Sequence, residues 1–306
     1  MIFALLPDVE ILDFAGPLQA FSEANALERR FVLRTCARTE RVRTDQGVVL
    51  AGLEPLPDVA EGDLVIVPGM KYRATQRVDR AVLRWLKMSA ATGAQIASIC
   101  TGAFILGDAG LLDGRRCTTH WSRTRELRQR FPNARVVDNR LFVSDGAITT
   151  SAGIASGIDM ALALVERSWG PLTAAAVARE MVVYLRRDGA HDQESIYLDY
   201  RTHLHPGIHR VQDWLTQHPG AKTTLAQLAP VAGMSARNLT RTFRAATGLS
   251  IKEFSTRVRL ELARTLLHDP GLTVDGVANR CGFDNARQFR RIWKTAFGST
   301  PRRASA

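Results

Sequence analysis

Two sets of residues in this chain have the types and spacing for chemistry. The first centres on a thiol. In residues 95–110, QIASICTGAFILGDAG, an apolar and β-branched run stops at Cys100, Thr101 and Gly102 turn the chain, and Ala103, Phe104, Leu106 and Ala109 resume at helical spacing. That pattern predicts strand, sharp turn and helix, with the cysteine at the turn. Such a turn holds its side chain outward in strained backbone. The free N–H groups at the start of the next helix favour a thiolate, the nucleophilic form of cysteine. The same pattern also fits a small buried hydrophobe at a strand end.

The second set is basic. Arg237, Arg241 and Arg244 share one face of a predicted helix, and Leu239 and Phe243 share another at i, i+4. Further on, Arg287, Arg290, Arg291 and Lys294 lie opposite Phe289, Trp293, Ala296 and Phe297. Arginine pairs bidentately with guanine in a major groove or reaches the phosphates that fix register. An ordinary solvated face explains either helix taken alone.

The charge distribution bears on that choice. Residues 1–200 hold 24 basic and 24 acidic side chains, whereas 201–306 hold 17 and 6, so the entire +11 belongs to the C-terminal part. A neutral front and a strongly basic back point to a polyanionic partner for the back, double-stranded DNA above all. Cys36, Cys100, Cys117 and Cys281 show no CxxC or Cys/His spacing. Neither a disulfide framework nor a metal site is indicated, no cofactor is called for, and a reducing cytoplasm fits. Met1 runs straight into an apolar strand, and no apolar run reaches the roughly 18 residues that span a bilayer. The sequence therefore reads as a soluble, cytoplasmic protein without a membrane partner.

These residues need elements to position them. Roughly the first 170 residues alternate apolar strands (2–7, 31–37, 63–70) with helical patterns (17–27, 75–90), as in a parallel sheet covered by helices. Strands over 135–137, 141–146 and 147–153 follow, the last two joined by a tight Asp145-Gly146 turn, then two helices separated at Gly170-Pro171. The polar stretch 188–207 has no sustained period and reads as a linker.

From Ile208 onward the chain reads as helices with Gly and Pro stops, and it repeats itself. An offset of 50 pairs Arg237 with Arg287, Leu239 with Phe289, Arg241 with Arg291, Phe243 with Trp293 and Gly248 with Gly298. Upstream, Leu228-Ala229 and Gly233 pair with Val277-Ala278 and Gly282 at an offset of 49. Each copy is a short helix, a Gly turn and a longer helix, a helix-turn-helix with Ser235 as N-cap of the first long helix. A helix with apolar positions at Ile251, Phe254, Val258, Leu262 and Leu266 joins the copies, limited by Pro270. Two recognition helices on one rigid spacer suit successive major grooves about 34 Å apart.

The segments LAQLAPVAGMSARNLTRTFRAATG, RLELARTLL, VANRCGF and FGSTP resemble the AraC/XylS family of transcription regulators over residues 208–303. The resemblance implies base or phosphate contacts from Arg237, Thr240, Arg241, Arg287, Arg290 and Arg291. Two positions depart from the pattern: Pro230 removes a backbone donor inside the first short helix, and Gly276 replaces a better helix former in the second.

The front half carries a second resemblance. ILDFAGPLQAF, IVPGM, SICTGAFILGDAGLLDGRRCTTHW and TSAGIASGIDMALALV are similar to the ThiJ/PfpI, or class I glutamine-amidotransferase-like, superfamily across residues 1–187. With the basic tail attached, the whole chain resembles the GlxA group of AraC-type regulators. This implies a flavodoxin-like α/β sandwich followed by an all-α domain with two helix-turn-helix motifs: a ligand-sensing domain over 1–187, a linker over 188–207 and a DNA-binding domain over 208–306. The implied pocket joins Cys100 as a vestigial nucleophile, Asp13 as the carboxylate facing it, and backbone N–H groups near Gly69, Met70 and Thr101 that could hold an anion or carbonyl oxygen. Met70 stands where the superfamily often has a second glycine and would narrow the pocket. His120 is either a pocket residue or a packed, hydrogen-bonded structural group.

Thr101 stands where the superfamily's peptidases place histidine, so a peptidase triad is not supported. The Asp13, Cys100-Thr101-Gly102 and TTHW pattern also resembles isocyanide hydratase, which leaves a thiol-dependent enzyme as the alternative, and a redox switch at Cys100 as a third reading. The fused DNA-binding domain favours a non-enzymatic sensor that controls transcription. The resemblance implies a small-molecule effector, a nitrogen compound such as an amino acid or quaternary amine, and a homodimer.

Overall fold

In the computed structural model the described residues are 1–28, 31–72, 78–183, 187–189, 193, 200–267, 269, 271–298 and 300–301. The chain divides into two compact units, Met1–Gln193 and Glu194–Ala306.

The first unit is built on a six-stranded sheet in the order β2-β1-β5-β6-β10-β9, comprising Arg34–Cys36, Ile2–Ala4, Leu64–Val67, Gln95–Ile99, Ile148–Ser151 and Phe142–Asp145. All neighbours pair parallel except β9, an antiparallel edge joined to β10 by the expected turn. All four residues of β5, LVIV, are buried, as befits a strand covered on both faces. Side chains alternate between two cores. Val65, Val67 and Ile96 face α2 (Arg80–Ala91) and α3 (Gly102–Asp108), whereas Phe3, Ile66, Ala97 and Ile99 face α1 (Ile11–Leu27) and α5 (Ala155–Glu180). A hairpin of β3 (Arg41–Arg43) and β4 (Val49–Ala51), a short parallel pair of β7 (Arg116–Cys117) and β8 (Arg135–Val136), and α4 (Thr124–Arg130) complete the unit.

One helix boundary differs from expectation. The first helix begins at Ile11, six residues before the expected Pro17, which sits inside it and packs toward α5, where a Cβ on Gly157 would lie 3.3 Å from Pro17 Cγ. An interior proline forgoes one helical hydrogen bond and crowds the preceding turn, so Pro17, the seventh residue of the helix, is held there by its packing toward α5 rather than by a preference for the start. The expected break at Gly170-Pro171 is present: Gly170 has φ 87° and ψ 166°, outside the helical region, so the span Ala155–Glu180, labelled α5, is two helices meeting at that residue. The expected helix start at Thr75, the limit at Pro270 and much of the expected linker lie outside the described residues.

The second unit is helical: α6 (Pro206–Gln217), α7 (Leu225–Ala232), α8 (Ala236–Thr247), α9 (Ile251–Leu266), α10 (Val274–Arg280) and α11 (Ala286–Phe297). It has two cores, one per motif. Ile208, Val211, Leu228, Leu239, Phe243, Phe254 and Val258 form the first; Leu260, Ala263, Val277, Ala278, Phe289 and Trp293 form the second. Helix α9 therefore serves both, with its buried side changing at Arg259.

Local sequence explains the short helices. Thr224 and Gln227 form a capping box on α7, and Gly233 closes it in the left-handed region at φ 70°, so the helix persists despite Pro230. Thr273 caps α10 by accepting from Gly276 N–H at 3.0 Å, which puts that glycine in the first turn, where its weak propensity matters least. Among the described residues no helix is long and apolar enough to cross a membrane.

Candidate functional site

Parallel strands bring their C-terminal ends to one edge of the sheet, the usual place for a site in an open α/β fold. Here β1 leads to Asp13, β5 to Gly69, β6 to Cys100 and β10 to Gly153-Ile154. Cys100 has φ 52°, left-handed backbone that a side chain adopts only when its surroundings impose it. They do so here: Cys100 N–H donates to Ser151 O at 2.9 Å, and Cys100 O accepts from Thr119 Oγ1 at 2.7 Å. Gly153 (φ 118°) leaves room for the elbow, since a Cβ there would lie 2.5 Å from Cys100 Cβ.

Asp13 is wholly buried. Its Oδ1 accepts Ile154 N–H at 2.5 Å. Its Oδ2 lies over Gly69, where a Cβ would come within 2.1 Å of it and 2.9 Å of Cys100 Cβ. Carboxylate and cysteine elbow thus close over the same bare glycine, and Oδ2 has no partner at hydrogen-bond geometry among the described residues. Burial raises the Asp13 pKa to about 6, assisted by the Glu10 charge and opposed by the N–H groups of Ile154 and Gly69 and by the Cys100 thiol.

The thiol departs from the sequence expectation. Burial, and then the Asp13 charge, push Cys100 up to about 12, outweighing the Thr101 N–H and the more distant Arg123. The thiol is therefore held in its protonated form at neutral pH, and the following helix does not make it a thiolate. Cys100 is a protonated group beside a carboxyl that titrates near neutrality.

The remaining expected pocket residues take different parts. Thr101 is buried, and its hydroxyl accepts Met70 N–H at 2.8 Å while donating to Met70 O at 2.6 Å. The Met70 amide is therefore already occupied. The Met70 side chain is buried in the core with Tyr72 and Phe104 and forms no rim. His120 is half-buried, its Nδ1 2.8 Å from Ser122 Oγ and its ring 5.4 Å from the Trp121 ring. Burial and Arg123 lower its pKa. It joins the elbow through its neighbour Thr119 rather than by its ring.

Sequence reasoning missed Thr119, Ile154 and Gln193. Gln193 Nε2 donates to Thr119 O and Arg140 O, each at 2.9 Å, bracing the segment that bears His120. Ile154 lies within the quoted TSAGIAS stretch, but its amide's role emerges only when β10 lies beside β6. Gln193 carried no local signal. Among the described residues no group of three or more His, Cys, Asp or Glu is placed to hold a metal ion.

In the helical unit both long helices bury one face and expose the other. In α8, Leu239, Phe243 and Thr247 are buried, and Arg237, Thr240, Arg241 and Arg244 are exposed. Ser235 caps it, accepting Asn238 N–H at 3.3 Å. In α11, Phe289 and Trp293 are buried, and Arg287, Arg290, Arg291 and Lys294 are exposed. Two expected contact residues have partners within the unit: Arg290 pairs with Asp275 at 2.7 Å, and Arg241 donates to Asn238 Oδ1 at 3.0 Å. Thr240 donates to Ala236 O of its own helix at 3.0 Å.

An α/β domain with a cysteine elbow, joined to tandem helix-turn-helix motifs, defines the class of an HTH-type transcriptional regulator with a flavodoxin-like N-terminal domain. The chain belongs to the DJ-1/PfpI family, whose profile matches residues 1–167, and residues 228–306 match a helix-turn-helix domain. It is similar to the HTH-type transcriptional regulator CdhR of Pseudomonas aeruginosa, at 29% identity over 98% of this chain and 89% of that one. It is also similar to isonitrile hydratase of Pseudomonas putida, at 31% identity over 58% of this chain and 76% of the enzyme. Among solved structures, an AraC family transcriptional regulator from Pseudomonas putida superposes with TM-score 0.53 and 27% identity, covering 59% of this chain and 97% of that one. These matches bear out the expected two-part architecture and the DNA-binding regulatory role.

Proposed function

We propose that this regulator senses a small nitrogen-containing metabolite at the Cys100 elbow and transmits its presence to the DNA-binding motifs as a cytoplasmic homodimer. The observation that carries the reading is the wholly buried Asp13 carboxyl and the Cys100 elbow closing on the same bare Gly69, where burial and the Asp13 charge push the thiol's pKa up. A thiol in that state binds without attacking, which suits a site that must release its signal unchanged. Asp13 offers Oδ2, which has no hydrogen-bond partner among the described residues, to accept from or pair with an ammonium group. The DNA contacts fall to Arg237, Thr240, Arg241, Arg287, Arg290 and Arg291, with Gly69 and Thr101 shaping the pocket floor. A panel of amino acids and quaternary amines tests the ligand class, read by melting temperature and by DNA affinity. The expected result is that one of them moves both; if none moves either, the ligand class is wrong.

A second reading, a thiol-dependent hydratase fused to a DNA-binding domain, is favoured by the closure of Asp13 and Cys100 over Gly69 and the similarity to isonitrile hydratase. Turnover of a small isonitrile, abolished in Cys100→Ser, would establish it.

A further inference from the structure

Helix α9 changes sides at one residue. Val258 belongs to the core of the first motif, Leu260 to that of the second, and Arg259 stands between them. Its half-buried guanidinium donates to three backbone carbonyls: Nε to Pro219 O at 3.0 Å, Nη2 to Ala221 O at 2.9 Å and Nη1 to Gly282 O at 2.9 Å. Pro219 and Ala221 lie in the connection between α6 and α7, part of the first motif's frame. Gly282 follows α10, inside the turn of the second. One planar fork therefore joins the two motifs through groups that belong to neither apolar core.

The backbones it joins are in direct contact. A Cβ on Gly282 would lie 2.4 Å from Gly220 O, and one on Gly220 would lie 2.6 Å from Arg280 O. At the rim Lys222 pairs with Asp284 at 2.9 Å. Each motif has its own caps and its own core, so this seam contributes little to folding either one. It fixes the placement of one relative to the other, and with it the separation of α8 and α11.

We propose that Arg259, seated on the Gly220–Gly282 contact, is a positioning residue that sets the groove spacing this regulator accepts on DNA. The inference rests on the reading that α8 and α11 engage one duplex. A rigid pair of recognition helices tolerates no change in the distance between its half-sites, because one inserted base pair turns the second groove by about 35°. A pair joined by α9 alone tolerates it.

The test uses the full chain and a duplex selected from random-sequence DNA by the unaltered protein, with none, one or two base pairs inserted between the two protected segments. For the unaltered protein one insertion is expected to weaken binding about 30-fold or more. In Arg259→Lys, which keeps the charge and loses the fork, the loss is expected to shrink to about threefold or less, with the circular dichroism spectrum unchanged. Gly220→Ala, which forces the seam apart without touching the arginine, should flatten the dependence in the same way. If both variants remain as spacing-sensitive as the unaltered protein, the clamp is refuted. If the unaltered protein is itself indifferent to spacing, the two-helix reading beneath it is overturned as well.

Discussion

Asp13 Oδ1 and Ile154 N–H, 141 positions apart in sequence, meet at 2.5 Å, binding the first turn of α1 to the residue that opens α5. Ile154 holds φ 45°, a conformation that costs a β-branched residue about 1–3 kcal/mol. The buried carboxyl compensates that strain, and in return it is fixed beside Cys100.

That arrangement makes stability depend on pH with a definite sign. The Asp13 pKa, about 6, lies above its ordinary 3.8, so the folded chain holds the proton more tightly than the unfolded one. Its contribution is full below about pH 3.8 and is lost as pH rises through about 6. Asp13→Asn stays neutral throughout. Urea unfolding of the two proteins should show the asparagine variant gaining on the unaltered protein by about 2 kcal/mol between pH 4.5 and 8. A difference that stays constant across that range contradicts the buried, proton-holding carboxyl.

The Cys100 thiol should alkylate slowly at neutral pH, with a rate that keeps climbing past pH 9 because its pKa is pushed up to about 12. Mass spectrometry of the Cys100 peptide after timed exposure to iodoacetamide follows this. A rate plateau near pH 7 would restore the thiolate, and with it the catalytic and redox readings.

Thr101→Val keeps the volume of the side chain and removes the hydroxyl that both accepts Met70 N–H and donates to Met70 O. Two buried backbone groups lose a partner, and a cost of about 2–4 kcal/mol is expected in chemical denaturation. Thr101→Ser should recover most of it.

The double substitution Arg237→Ala, Arg287→Ala removes one exposed arginine from each long helix and no buried group. Specific DNA binding should fall by about 100-fold or more. Where the lost contacts were to phosphates, the slope of log affinity against log salt should also become shallower by about one per contact. Titration of a selected duplex at three salt concentrations reads both quantities, and unaltered affinity would remove these residues from the interface.

Much of this was legible in the sequence because the signals were local. LVIV between turn residues can only be a buried strand, Cys100 at the junction of two periodicities marks an elbow, and the paired arginines at an offset of 50 identify the two exposed faces. Physical competition hid the rest. A helix start lowers a thiol's pKa, and burial raises it; burial prevails, assisted by Asp13, 87 positions away in sequence. Met70 N–H reads as a free donor until Thr101 folds over it. Pro17 reads as a boundary until α5 packs beside it. Arg259 looks like any solvated helix arginine, because the carbonyls it gathers come from two separate turns.

The division of α9 between two cores bears on how the helical unit comes apart. Phe254 and Val258 on one side and Leu260 and Ala263 on the other share a single continuous backbone hydrogen-bond ladder. Fraying that ladder at its middle strips apolar cover from both motifs at once, so neither loosens alone at low free-energy cost. The two halves are therefore expected to behave as one cooperative unit in hydrogen exchange despite having separate interiors, with the slowest-exchanging amides in α9 around Arg259 rather than in either DNA-reading helix.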